Sequence, residues 1–411
     1  MKNQDWLVGL DIGSSKIGVV IAEIQDNLEP KIIGIGLAPS LGLKRGVVVD
    51  LEKTVSAISK AIEDAEMMAG VKITSVLAGI AGDHIKSINS RGVVAVSGSH
   101  NEIKVKDVNR VIEAAKNVAI PQEREIIHIL PLDFTVDEQD GIQNPLGMSG
   151  MRLEASVHIV TGASTPAQNI YKCIQKVGLK VDEIVLEPLA SSYAVLSPEE
   201  QNLGVILIDL GGGTTDIAIF YEGGLRYTSV LGIGGQNVTN DIAIGLRTPV
   251  SQAEMLKKGY GCALASLVDA DELVTVQNVG GAENREISRQ VLANIIEPRM
   301  EELFSLVNRE VKKTGLAPFM AAGVVLTGGG SLLEGVVQMA EQVLDLPVKL
   351  GRPQRFIDLH DLAQSPIFAT SLGLVLYGLD QKNNFGYNHK NNKKRFYRFK
   401  ETMKDWFNEY F

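Results

Sequence analysis

The sequence predicts a duplicated α/β fold, with two similar domains, each enlarged by an insertion. Three observations carry this. The stretch Ile206–Phe220 reads as an apolar strand containing Asp209, a turn of Gly211, Gly212, Gly213, Thr214 and Thr215, and a second apolar strand. Leu7–Ile21 repeats the plan, with Asp11 followed by Gly13, Ser14, Ser15 and Lys16, and the two aspartates stand 198 positions apart. Val324–Leu333 carries a third glycine turn, Gly328, Gly329 and Gly330, after another buried strand, and is expected to open a helix.

At 411 residues the chain has room for two large domains with separate cores. Its 45% apolar and 22% charged residues are those of a soluble globular protein. No apolar run approaches the ~18 residues of a membrane span. Met1–Asp5 leads into a strand without a signal-peptide pattern. Cys173 and Cys262 have no CxxC partner and the six histidines show no ligand spacing, so neither a disulfide framework nor a zinc site is expected. A cytosolic setting follows. A net charge of −9 argues against general nucleic-acid binding, but it is uneven. Residues 381–411 hold eight Lys/Arg against three Asp/Glu, a net of +5, which leaves −14 for the rest.

In chain order, strands at 7–11, 17–24 and 31–37 form a meander. Asp50 then caps a helix whose Leu51, Val55, Ile58, Ile62 and Ala65 share a face, and Gly70 ends it. A strand follows at Ile73–Ala78. This β-β-β-α-β order begins a ribonuclease-H-like domain, assigned to residues 1–83 and 163–202. Residues 84–162 read as an inserted α/β subdomain, with strand at 85–96, a helix over Lys106–Val118, strand over Ile126–Val136, a loop at Gly141–Met148 and strand over Arg152–Val160. Helices at Thr165–Val177 and Glu187–Leu196 return to the parent domain. The second domain covers 203–229 and 305–380, interrupted by an insertion over 230–304 with helical stretches at Ser251–Lys258 and Arg289–Lys313. Residues 381–392 have linker composition and, as a flexible coil, would hold their ends roughly 20 Å apart.

The glycine turns point to phosphate, because glycine frees the backbone and clears side chains from a row of N–H groups that can face an anion. As a set, the two Asp–Gly turns, the third triple-glycine turn and helices rich in small residues resemble the actin/DnaK/hexokinase ATPase superfamily over nearly all of 1–380. Its phosphate motifs match Asp11–Lys16 and Asp209–Asp216, its connecting helices match Glu187–Ala194 and Ala369–Leu374, and its adenosine motif matches Thr327–Ser331. The resemblance implies two actin-like domains around a nucleotide cleft, with ATP and Mg²⁺ as cofactors. Amides of Gly13, Ser14 and Ser15 would hold the phosphates from one side and those of Gly211, Gly212, Gly213 and Thr214 from the other, with Thr215 adjoining. Asp11 and Asp209 would hold Mg²⁺ through water, since that ion dehydrates reluctantly. Lys16 is either a phosphate partner or a solvated strand charge. Gly328, Gly329 and Gly330 would admit adenine and ribose, and Glu187 matches the position that orients the attacking water. Glu254 and Lys257 resemble the pair that reaches the ribose and base; the alternative is an ordinary i, i+3 ion pair.

The C-terminus narrows the branch. Phe396, Phe399, Met403, Trp406, Phe407 and Tyr410 recur at helical spacing and fall within an arc of roughly 100°. Lys393, Lys400 and Lys404 border that face. Such a helix suits an interface of anionic lipids, the alternative being a helix docked on the body. An actin-like ATPase with a tethered amphipathic helix over 393–411 resembles the FtsA family of bacterial cell-division proteins. So do the Gly141–Met148 loop, the stretch Gly150–Glu154 and the place of the first insertion. The resemblance implies a self-polymerising ATP-binding protein, at most a slow ATPase, that tethers the tubulin-like FtsZ ring to the cytoplasmic face of the membrane at the septum. It also implies that the 230–304 insertion receives the FtsZ C-terminal tail and that later division proteins are recruited. Rival readings are a soluble small-molecule kinase, for which no acceptor site or catalytic base is identifiable, and membrane-associated actin relatives of the PilM or MreB type. A DnaK-type chaperone would need a peptide-binding domain, and only 31 residues follow Asp380.

Overall fold

The computed structural model describes residues 6–24, 30–97, 101–278, 284–356 and 363–388. Both halves are built on the same five-stranded sheet. In the first, β1 (Trp6–Ile12), β2 (Lys16–Ile24) and β3 (Pro30–Pro39) form the antiparallel meander. A small hairpin, β4 (Leu43–Lys44) and β5 (Val47–Val48), leads into α1 (Leu51–Ala69). Asp50 caps that helix by accepting from the Lys53 N–H at 3.1 Å, and Gly70 ends it at φ 67°. β6 (Ser75–Ile80) then runs parallel beside β1, two residues later than the Ile73–Ala78 strand expected.

The first insertion comprises β7 (Lys86–Ala95), α2 (Val105–Ala115), β8 (Arg124–Val136), β9 (Gln139–Ile142) and β10 (Arg152–Ala163), in a sheet of order β7-β10-β8-β9 with its own apolar cluster. The chain returns through α3 (Ser164–Lys176), β11 (Lys180–Leu186), α4 (Glu187–Val195) and α5 (Pro198–Leu203). Besides its root in the first domain, this insertion rests on the second. Ser87 donates to the Thr228 carbonyl at 3.0 Å, and Arg226 pairs with Asp133 at 2.8 Å.

The second half repeats the scheme with β12 (Val205–Leu210), β13 (Thr215–Tyr221) and β14 (Gly224–Leu231) as its meander. Its insertion holds α6 (Gly235–Gly245), α7 (Val250–Tyr260), β15 (Leu273–Val276) and β16 (Arg285–Ser288). It leaves through α8 (Arg289–Lys313). β17 (Val324–Thr327), α9 (Val336–Leu344), β18 (Val348–Leu350) and α10 (Ala369–Asn388) close the domain. The sheet orders, β3-β2-β1-β6-β11 and β14-β13-β12-β17-β18, are equivalent strand for strand. Every residue of β12 is buried, which explains its unbroken apolar run.

Two expectations need correction. The third glycine turn does not open a helix directly. A single 3₁₀ turn covers Gly329–Leu332, and α9 starts only after Gly335, at φ 73°. The region read as a linker from 381 is helical as far as Asn388, because α10 continues a helix already nucleated on the core, and extending a helix costs far less than starting one. Residues 389–392 and the amphipathic stretch 393–411 lie outside the described residues.

α4 and α10, the two helices matched to the superfamily's connecting helices, cross in direct backbone contact. A β-carbon on Gly373 would lie 1.9 Å from the Ala190 carbonyl oxygen, so no larger residue fits there.

Candidate functional site

The β1–β2 and β12–β13 turns face each other. A β-carbon on Gly212 would lie 2.5 Å from Ser15 Cβ, and one on Gly213 2.7 Å from Ser14 Cβ, so the glycines are what let the two turns approach. Asp11 sits near the end of β1 opposite Gly18, and Asp209 near the end of β12 opposite Asp216. Lys16 forms an ion pair with Asp11. Of its two readings from sequence, the solvated strand charge does not hold, since this buried partner draws the ammonium inward.

Asp209 is held from behind. Ser191 Oγ, on α4, donates to Oδ2 at 2.8 Å, and Thr370 Oγ1, on α10, approaches the same oxygen at 3.4 Å. The two hydroxyls lie 3.1 Å apart. Both connecting helices thus grip one carboxylate of the second domain. The third turn closes on it as well. Gly328 has φ 80°, and a β-carbon there would fall 2.2 Å from Asp209 Oδ1. Gly329 is open by the same measure, with Ile367 as its nearest neighbour at 3.9 Å, whereas Gly330 packs on Leu210.

Asp216 was not singled out by sequence, although its strand position opposite Asp209 was a usable signal. Thr214 Oγ1 donates to its Oδ2 at 3.2 Å, while its Oδ1 is buried with no hydrogen-bond partner. Glu187 opens α4 directly after β11 and packs over Gly79. Burial pushes its carboxyl well above the usual range, and the charges of Asp11, Asp216 and Asp209 push the same way. Asp216 is raised by burial and then by Asp209, and Asp209 by burial despite the Ser191 bond. The buried Asp11, Asp209 and Asp216 and the half-buried Glu187 therefore crowd one site. Such crowding is relieved by protons or by a cation.

Glu254 and Lys257 pair at 2.7 Å on α7, but not as an ordinary solvated pair. Lys257 also donates to the Gly235 carbonyl at 3.0 Å and to Thr239 Oγ1 at 2.8 Å, which engages all three ammonium donors. Gly235 N–H in turn donates to the Gly211 carbonyl at 3.0 Å. The pair thus braces the second turn through the start of α6. The aromatic and lysine residues of 393–411 lie outside the described residues.

Residues 206–373 match the family model described as "Cell division protein FtsA", and residues 82–161 match "SHS2 domain inserted in FTSA". The cell division protein FtsA of Pseudomonas aeruginosa is 50% identical over 376 residues, covering 92% of this chain and 90% of that protein. This chain belongs to the FtsA family. The FtsA of Bacillus subtilis is 40% identical over 377 residues, or 92% of this chain and 84% of the relative. Among solved structures, a PilM–PilN type IV pilus biogenesis complex superposes at a TM-score of 0.65 with 18% identity, covering 91% of this chain and 98% of the other. MreB5 of Spiroplasma citri bound to ADP gives 0.57 at 15% identity, covering 93% and 98%. At such identities the likeness speaks for the fold alone, which is actin-like, with the SHS2 insertion that marks FtsA.

Proposed function

We propose that this FtsA-family protein binds ATP with Mg²⁺ between its two domains, polymerises, and tethers FtsZ to the cytoplasmic face of the membrane at the septum, where it helps recruit later division proteins. The observation that carries the nucleotide reading is the meeting of the two glycine turns beside three buried aspartates and the half-buried Glu187, with one aspartate oxygen unpartnered. Among the described residues no three His, Cys, Asp or Glu side chains converge closely enough to ligate an ion directly. That donor set fits a hydrated Mg²⁺ better than a stripped ion.

When bound, Mg²⁺ supplies charge neutralisation to the phosphates. Asp11 and Asp209 would hold it through water. The amides of Gly13, Ser14 and Ser15 and of Gly211, Gly212, Gly213 and Thr214 orient the phosphate oxygens, with the Ser14, Ser15, Thr214 and Thr215 hydroxyls nearby. Gly328, Gly329 and Gly330 border the adenosine, and Glu254 and Lys257 fix the second turn. Glu187, whose carboxyl is raised by burial, would orient or polarise the attacking water. ATP is read as chiefly a structural ligand, and turnover is expected below about 1 s⁻¹.

The insertion over 230–304 is the proposed seat of the FtsZ tail. Residues 393–411 are the proposed membrane helix: Phe396, Phe399, Met403, Trp406, Phe407 and Tyr410 enter the interface while Lys393, Lys400 and Lys404 meet anionic lipid. One such helix binds weakly, and a polymer multiplies it. The test is sedimentation with anionic liposomes, comparing the full chain, a truncation after Asn388 and Trp406→Glu, each with and without ATP. Pelleting of the full chain alone, sharpened by ATP, supports the anchor, and binding of an FtsZ tail peptide is the next step. Equal behaviour of all three makes the tail a docked helix and returns the soluble kinase.

A further inference from the structure

The tip of the β4–β5 hairpin stands where four parts of the molecule meet. Its two-residue turn is Arg45–Gly46, with φ of 51° and 76°. Asn, Asp or Gly is the usual occupant of a turn that needs positive φ at both positions, and an arginine there is strained. The side chain's surroundings give that strain a use. Gly46 N–H donates to Ser14 Oγ at 2.8 Å, which joins the tip to the first phosphate turn. A β-carbon on Gly213 would lie 3.2 Å from Arg45 N, which brings in the second. A β-carbon on Gly232 would lie 3.3 Å from Arg45 Cδ and 3.7 Å from Asp83 Oδ2. Gly232 is at the root of the second insertion and Asp83 at the root of the first. The arginine stem therefore reaches from the first domain onto the second, at the point where both insertions depart.

We propose that Arg45 is a positioning residue that ties the two phosphate turns to the roots of both inserted subdomains, so that nucleotide occupancy sets how those subdomains are placed. The proposal rests on the ATP reading above. A ligand drawn between Ser14 and Gly213 must displace or tighten a tip that touches both, and Arg45 carries that shift to Gly232 and Asp83.

The test is hydrogen exchange of the full chain, followed at residues 82–86 and 231–236, with and without a non-hydrolysable Mg·ATP analogue. In the unaltered protein the analogue is expected to slow exchange at both segments by about tenfold. Arg45→Gly removes the side chain and relaxes the turn, so the fold is kept. It should hold the analogue within about threefold of normal affinity yet lose the response at both roots. Arg45→Lys should keep part of it. A full response in Arg45→Gly overturns the proposal. So does a tenfold loss of affinity, which would make Arg45 a ligand of the nucleotide itself. If the unaltered protein binds no Mg·ATP analogue, the nucleotide reading fails and this proposal with it; binding without a response at the roots defeats this proposal alone.

Discussion

The two halves share a sheet order strand for strand, yet their acidic groups are balanced differently. In the first, Asp11 faces Gly18 across its hairpin and has Lys16 as an ion-pair partner. In the second, Asp209 faces Asp216, and its partners are the neutral hydroxyls of Ser191 and Thr370. Asp11 thus has a cationic partner, whereas the facing Asp209 and Asp216 have none among the described residues. Glu187, on α4 of the first half, adds a further raised carboxyl whose strongest charged neighbour is Asp11. The same scaffold therefore carries a paired aspartate in one half and an uncompensated facing pair in the other.

This contrast can be broken most directly by Asp209→Ala, expected to lower Mg·ATP affinity about a hundredfold, roughly 3 kcal/mol by calorimetry. Asp11→Ala should cost only about tenfold, since Lys16 is then free to meet phosphate. Equal losses would remove the asymmetry. Glu187→Ala sharpens the division further: binding should survive while turnover falls by about a hundredfold.

The connection between halves is tested by Gly373→Ala, whose β-carbon would press on the Ala190 carbonyl. It should destabilise by about 2–3 kcal/mol in denaturant titration. Gly259→Ala, where a β-carbon meets nothing within 4 Å, should be neutral or stabilising by up to ~1 kcal/mol. Ser191→Ala removes one hydroxyl from Asp209 and should cost about 1 kcal/mol, with a matching small loss of Mg²⁺ affinity.

The smallest effects are those of pH. Glu187 and Asp216 are raised, so they hold protons that a cation must displace. Mg²⁺ affinity should therefore climb as pH rises above the ordinary carboxylate range, with proton release visible as a buffer-dependent binding heat, and Asp216→Asn should flatten the climb. His128 and His158, both in the first insertion, are pushed down to about 4 by burial. The unfolded chain takes up those protons near 6.5 and the folded chain does not. Stability should thus fall as pH drops from about 6.5 toward 4, and His158→Gln should soften the fall.

Much of this was legible from the residues. The strand–glycine turn–strand units holding Asp11 and Asp209 were legible because such turns need special residues at fixed spacing, and α8 was bounded by its pattern from Arg289 to Lys313. Ser191 and Thr370 were hidden, since a small polar residue on a helix does not say which distant carboxylate it will meet. Asp216 was passed over although the hairpin expected around Gly211–Thr215 already set it opposite Asp209. The stretch from Gln381 to Asn388 misled through its Asn and Gly content, because composition is judged locally whereas a helix is extended from the buried turns before it.

That extension changes the geometry of attachment. α10 has its first turn at Asp209, through Thr370, and continues for 20 residues, about 30 Å of helix. With the proposed membrane helix starting at Lys393, four residues separate it from Asn388, a span of at most about 14 Å. If residues 393–411 are the membrane helix proposed above, such an attachment would be less a leash than a bracket. A polymer mounted on such brackets would ride at a nearly fixed height above the bilayer, and a bend in the membrane would be felt along the filament as a mechanical load.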